Sequence, residues 1–273
     1  KFKAFFNKAM DLGADYLATG HYCQIDRSNP KSPKLIKGTD FNKDQTYFLY
    51  TINDETLKRV LFPIGHLEKS KVRELANKFN LPTENKKDST GIGFIGERNF
   101  RPFLSNFLTP KKGSFLMLDG SKVGEHNGAH FYTLGQRKGL GLGGPGEPWF
   151  VVGKDIEKNI LYVERGERHP ALYYDELEAC ELSWVDQSFV FKKGEVINLM
   201  CKARYRQEDQ KCQIESRGAG EVLIKFDIPQ RAVTIGQSIV FYTKNECLGG
   251  GFISKLGENY DQMNKYLPEI VAR

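Results

Sequence analysis

The chain has 273 residues, of which 40% are hydrophobic and 27% charged, enough for two or three compact units that each bury a core. Forty Lys and Arg against 34 Asp and Glu give a net charge of +6, which suits a polyanionic partner and equally a solvated surface. The five cysteines are widely spread with no C-x-x-C pair, and no apolar run approaches about 18 residues, so the sequence indicates no zinc site, disulfide framework, signal peptide or membrane-spanning helix.

Helical spacing opens the chain: Phe2, Phe5, Phe6, Ala9 and Leu12 fall on one face, and Gly13 stops the helix. The apolar run from Ala14 to Thr19 predicts a short buried strand closed by Gly20 and His21. Helix, glycine, strand is the rhythm of a parallel α/β sheet. Such a sheet needs more strands than this sequence holds, and Lys1 stands where an initiator methionine would, so the sequence reads as a fragment. Ligands in open α/β sheets sit at the carboxyl ends of strands, which makes Thr19-Gly20-His21-Tyr22 a candidate site; a buried strand end with a satisfied histidine is the alternative. A polar loop with Pro30 and Pro33 leads to Lys43-Asp44-Gln45-Thr46, where Asp44 can cap a helix, and then to the run Tyr47-Phe48-Leu49-Tyr50. A second helix over Lys69 to Phe79 puts Val72, Leu75, Ala76 and Phe79 on one side, predicted as core packing.

Gly91, Gly93 and Gly96 fit G-x-G-x-x-G, but Leu81 to Thr90 is polar with no strand pattern, so a dinucleotide-binding oxidoreductase is set aside. A helix follows from Asn99 to Leu108. Gly113 to Val123 alternates around Asp119-Gly120 and predicts a hairpin. The loop Thr133 to Gly144 combines flexible backbone with the adjacent cations Arg137 and Lys138, which is what phosphate contact requires and what a glycine-rich surface loop also looks like. Pro148 to Val152 and Ile160 to Val163 predict a second hairpin through Lys158-Asn159. From about Asp175 six alternating runs (178–184, 195–204, 211–216, 221–226, 237–242 and 247–253) predict a closed or sandwich-like β domain. Within it Arg204-Tyr205-Arg206 can stack a base while holding phosphate, or can be a barrel corner with exposed arginines. Cys180, Cys201, Cys212 and Cys247 lie in strand patterns and read as small core hydrophobes.

Several stretches in order resemble the tRNA-specific 2-thiouridylases. They are Ala18-Thr-Gly-His-Tyr22, Asn42-Lys-Asp-Gln-Thr-Tyr-Phe-Leu49, Phe62-Pro-Ile-Gly65 and Asp88-Ser-Thr-Gly-Ile-x-Phe-Ile-Gly-Glu-Arg-Asn-Phe100. Further along come Leu134-Gly-Gln-Arg-Lys-Gly-Leu-Gly141, Glu147-Pro-Trp-Phe-Val-Val152, Arg204-Tyr-Arg-Gln207, Gly236-Gln-Ser238 and Cys247-Leu-Gly-Gly-Gly251. The resemblance covers nearly the whole chain up to Glu258. It implies an α/β plus β fold: a truncated parallel-sheet ATP-pyrophosphatase-like domain (1–103), a small central β domain that binds tRNA (104–174) and a C-terminal β-barrel (175–273).

It also implies a sulfurtransferase that uses ATP and Mg2+ to adenylate the O2 of the wobble uridine, position 34, and then delivers sulfur from a cysteine persulfide. Gly20 would lie against the adenylate pocket, with His21, Lys43, Asp44 and Gln45 contacting tRNA near the target base. Arg204, Tyr205 and Gln237 would contact tRNA from the barrel, and Arg137 and Lys138 from the central loop; no metal ligand is assigned. Gly93 stands where the family carries the persulfide cysteine. The family's Ser-Gly-Gly-x-Asp-Ser phosphate loop and first catalytic cysteine are not in the sequence and are expected upstream of Lys1. Expected partners are the tRNAs for lysine, glutamate and glutamine and a persulfide donor, either a cysteine desulfurase or a relay protein. The expected compartment is the cytoplasm, or the mitochondrial matrix in a eukaryote. A catalytically inactive tRNA-binding relative is the alternative that Gly93 favours.

Overall fold

The computed structural model describes residues 2–82, 84 and 106–272, which fall into two compact units. The first unit joins Lys1–Lys86 to Glu176–Asp227 and Ile235–Lys255. The second comprises Lys87–Asp175, Ile228–Thr234 and Leu256–Arg273.

In the first unit, helix α1 (Ala4–Asp11) ends at Gly13, whose φ of +86° costs an L-residue strain that glycine avoids. Its predicted apolar face is split. Phe2 and Phe6 pack on the core, whereas Phe5 and Leu12 are exposed. The predicted strand is only two residues long: β1 (Leu17–Ala18) pairs in parallel with β4 (Val60–Leu61). Between them the supposed polar loop folds as a hairpin, β2 (Cys23–Asp26) against β3 (Lys34–Lys37), with Cys23 opposite Lys37. The helix α2 (Asp54–Leu57) is capped by the Asn53 side chain, which accepts from Thr56 N at 2.9 Å. Helix α3 (Lys69–Lys78) forms as predicted, but its apolar stripe is less covered than a core helix requires. Val72, Leu75 and Ala76 are half-buried and Phe79 is exposed.

Six strands close into a barrel in the order β13-β10-β11-β12-β9-β14, with β13 returning to β14. They are β9 (Tyr173–Trp184), β10 (Val196–Lys202), β11 (Gln210–Gly218), β12 (Glu221–Arg231), β13 (Ser238–Thr243) and β14 (Glu246–Leu256). The alternating runs therefore became strands close to where the pattern put them. The β2–β3 hairpin adds to this sheet, since Ile36 pairs with Glu246 and Leu35 with Cys247. One core follows from that pairing: Cys23, Leu35, Tyr47, Leu49, Leu57 and Val60 pack with Val185, Val240, Tyr242 and Cys247. Two glycines make the close approaches possible. A Cβ on Gly65 would sit 1.7 Å from the Cys23 carbonyl oxygen, and one on Gly250 would sit 2.4 Å from that of Ile239. These distances give a steric reason for glycine in Phe62-Pro-Ile-Gly65 and in Cys247-Leu-Gly-Gly-Gly251.

In the second unit a four-stranded sheet runs β6-β5-β8-β7, built from β5 (Gly113–Leu116), β6 (Lys122–His126), β7 (Trp149–Asp155) and β8 (Ile160–Arg165). Both predicted hairpins are present. The first turns at Gly120 with φ +89°, held by Ser121 N donating to Asp119 Oδ1 at 2.8 Å; the second turns at Asn159 with φ +55°. Phe115, Val151, Leu161 and Val163 fill its core. The glycine stretch 91–96, Gly93 included, and most of the predicted 99–108 helix lie outside the described residues. Among the described residues no helix is long and apolar enough to cross a membrane.

Candidate nucleic-acid interface

The segment Lys43–Phe48 owes its shape to the buried Asp44 and Thr46 and the half-buried Gln45. Asp44 is 4% exposed, and its carboxylate accepts from Gly38 N at 3.1 Å, Thr46 N at 3.3 Å and Thr46 Oγ1 at 2.8 Å. A buried carboxylate holds its charge only with such donors. Its oxygens are turned inward, and the expected helix cap does not form: the turn Thr46–Phe48 starts from Gln45 with no side-chain cap bond. Gln45 forms a two-bond clamp on the start of β2: Tyr22 N donates to Gln45 Oε1 at 2.9 Å, and Gln45 N donates to the Tyr22 carbonyl at 3.0 Å. Thr46 Oγ1 lies 3.3 Å from the hydroxyl of Tyr242, on β13. Below, Lys37 is 5% exposed, ion-paired to Asp209 and 4.2 Å from the centre of the Tyr242 ring. Lys202 approaches the other Asp209 oxygen at 3.6 Å. The loop and the barrel are thus pinned to each other from within.

On the outward side lies an open cleft of about 560 Å³, lined by Phe2, His21, Gln45, Phe48 and Thr51 among others. His21 Nδ1 is 2.8 Å from Thr19 Oγ1, and its ring packs between Phe2 and Phe62 at centroid distances of 5.5 and 6.1 Å. Tyr205, from the barrel corner, lies 4.4 Å from the Phe48 ring and 6.2 Å from Tyr47. Its pKa is raised, first by burial and then by Asp44, against the opposing pull of Arg206 and Lys43. Tyr47 donates its hydroxyl to the Ser238 carbonyl at 2.8 Å, and burial, with Tyr50 adding to it and Arg204 opposing, pushes its pKa up to about 12. Gln237, the exposed residue before Ser238, sits on the same strand approach. Residues from positions 21, 43–45, 204–205 and 237 thus come together in one unit. Two arginines, a lysine and exposed aromatic rings beside a cleft can hold phosphate and stack bases.

Gly20, at the carboxyl end of β1, is exposed, and a Cβ there would meet only Ile64 at 3.9 Å. Arg137 and Lys138 are exposed in the second unit. Their loop is shaped by Gln136, which accepts from Thr133 N at 3.0 Å and donates to the Lys138 carbonyl at 2.9 Å. Gly135 has φ +74°, and a Cβ there would come within 2.7 Å of Ala232. Sequence reasoning passed over Phe48, Tyr47 and the Lys37–Asp209 pair. An aromatic run after a polar turn reads as core, and only the three-dimensional pairing shows Phe48 56% exposed.

Cys23 lies three residues from Gly20, the sequence's nearest thiol to the strand-end site. It is fully buried, and burial, Asp44 and Cys247 together push its thiol far above the ordinary range. A neutral, inaccessible thiol is a poor nucleophile and a poor persulfide carrier.

Residues 1–97 match the family model described as the tRNA methyl transferase HUP domain. Residues 101–165 match the tRNA methyl transferase PRC-barrel domain, and 174–253 the aminomethyltransferase beta-barrel domain. The chain is 57% identical over 273 residues, all of this chain and 72% of the relative, to the tRNA-specific 2-thiouridylase MnmA of Protochlamydia amoebophila (strain UWE25). It is 55% identical to the protein of that name from Bacillus subtilis (strain 168), over 93% of this chain and 67% of the relative. Against that of Staphylococcus epidermidis (strain ATCC 12228 / FDA PCI 1200) it is 49% identical over 97% of this chain and 71% of the relative. The domain descriptions speak of methyl transfer while these relatives are named for thiolation; identities near half over nearly the whole chain carry more weight than a domain label. The chain belongs to the family of tRNA-specific 2-thiouridylases.

Proposed function

We infer that the chain acts on tRNA as a uridine 2-sulfurtransferase, the activity for which its relatives are named. The observation that supports its tRNA-binding residues is that His21, Gln45 and Phe48 line one cleft in the first unit, with Tyr205 4.4 Å from the Phe48 ring. In this reading Lys43, Arg204 and Arg206 hold phosphate, His21 and Gln45 face the target base, and Asp44 positions its neighbours from within. Gln237 flanks the barrel side, while Arg137 and Lys138 hold backbone phosphate from the second unit. The preferred substrates are the tRNAs for lysine, glutamate and glutamine, modified at the wobble uridine, with a cysteine desulfurase or relay protein as sulfur source. Five free thiols support a reducing compartment, the cytoplasm or a mitochondrial matrix.

ATP and Mg2+ enter this proposal through the family alone. Around Gly20 the described residues present a strand end and no loop of successive backbone amides to cradle phosphate. Nor do three His, Cys, Asp or Glu side chains come together among them to hold a cation. The described residues do not fit the nucleotide by themselves.

Gly93 favours a second reading, a tRNA-binding relative without sulfur transfer, because glycine cannot carry a persulfide. Cys23 offers no substitute. The two readings separate by mass spectrometry of tRNA nucleosides from cells that rely on this protein. In the second reading the sequence as it stands yields no 2-thiouridine and Gly93→Cys restores it; in the first, 2-thiouridine forms with Gly93 in place. Normal 2-thiouridine with Gly93 in place would show that another residue carries the sulfur.

A further inference from the structure

We propose that Phe48 is a positioning residue for the RNA substrate: its exposed ring, stepped against Tyr205, is a platform on which one unpaired anticodon-loop base stacks. The inference rests on the tRNA-binding reading and deepens it. Phe48 ends the 3-10 turn Thr46–Phe48, and everything around it is fixed while its own ring is not covered. Thr46 is fully buried and bonded to Asp44, Tyr47 is bonded to Ser238, and Leu49 is buried. Yet the ring between them is 56% exposed. Aromatic contacts hold it on two sides: Tyr47 meets it edge-on at 5.5 Å and 87°, and Tyr205 lies 4.4 Å away at 41°. The ring thus offers an open apolar face beside a second aromatic ring. Three features select an RNA base as its occupant. The ring borders the cleft that His21 and Gln45 also line. Arg204 and Arg206 flank Tyr205, the partner of Phe48 in the step, in the chain and are exposed, so cations for the flanking phosphates are adjacent. A π-face stacks any base without reading its sequence, which suits a residue that orders a loop while others choose the uridine.

The test is binding of an unmodified lysine-tRNA anticodon stem-loop transcript, followed by fluorescence anisotropy across a salt series. Phe48→Ala and Phe48→Leu should each weaken binding on the order of tenfold with an unchanged salt slope, because a stacking face and no charge is lost. Phe48→Trp should bind at least as tightly as the original. A scan placing an abasic nucleotide at each loop position should find one where the unsubstituted protein loses a similar factor and Phe48→Ala adds no further loss. Thermal melts check that each variant folds; Leu and Trp preserve an apolar side chain should Ala not. If Lys43→Ala and Arg204→Ala weaken binding but Phe48→Leu does not, the stacking platform is overturned and the tRNA surface stands. Equal extra loss from Phe48→Ala at every abasic position also overturns it. If neither the cation nor the Phe48 variants change binding, the underlying tRNA-surface reading falls.

Discussion

Asp44 is a buried carboxylate whose oxygens are turned inward. Its oxygens are consumed by Gly38 and Thr46, so removing them leaves buried donors unsatisfied, at about 1–3 kcal/mol for each group. Asp44→Ala should lower stability by about 2–4 kcal/mol on that scale and weaken tRNA binding through misplaced Lys43 and Gln45. Asp44→Asn, which keeps one acceptor, should lose less, and chemical denaturation of both checks the order. The buried thiols make a second residue-level prediction. Burial raises the pKa values of Cys23 and Cys247 above the ordinary 9.0 and that of Tyr242 above 10.0, so the folded chain keeps protons that the unfolded chain releases. Stability is then level from neutral pH to about 9 and declines as pH rises beyond it. Denaturation midpoints at pH 7, 9 and 10.5 measure this. In the same folded state iodoacetamide should modify Cys180, which is half-buried, before Cys23; rapid alkylation of Cys23 would contradict its placement.

Among the elements, those with a local signature were legible in the sequence. Asp119-Gly120 marks its hairpin because glycine accepts the positive φ of the turn, and the barrel strands show alternation because one face of each is dry. The β2–β3 hairpin was not legible. Lys34 and Lys37 flank its apolar pair, and Lys37 reads as solvated when in fact it is buried against Asp209, 172 positions away. No window of sequence contains that partner. The same blindness applies to Gly65, which looks like a turn residue and is a packing one. Gly65→Ala should prevent the first unit from folding, since its Cβ has nowhere to go against the Cys23 backbone. Gly120→Ala, where a Cβ meets nothing within 4 Å, should cost only the strain of its φ. Circular dichroism and melting of the two variants distinguish steric blockage from backbone strain.

For the molecule as a whole, the family was legible because its motifs recur in order along the chain, each tied to a backbone or side-chain requirement. What the sequence did not disclose is that the turn after 43–45 and the corner at 204–205 meet, with Phe48 4.4 Å from Tyr205 and both Tyr47 and Tyr205 on one hydrophobic core. Their meeting depends on β3 pairing with β14, a long-range event with no local trace. Whether tRNA lies across both segments is read from the affinity of an unmodified lysine-tRNA transcript, measured between about 50 and 200 mM salt for the protein and for Lys43→Ala, Arg204→Ala and their combination. Each substitution should weaken binding at low salt and reduce the log–log salt slope by about one, with the double variant losing about two. Affinities and slopes that match the unsubstituted protein in all three variants would contradict the claim that tRNA lies across this surface.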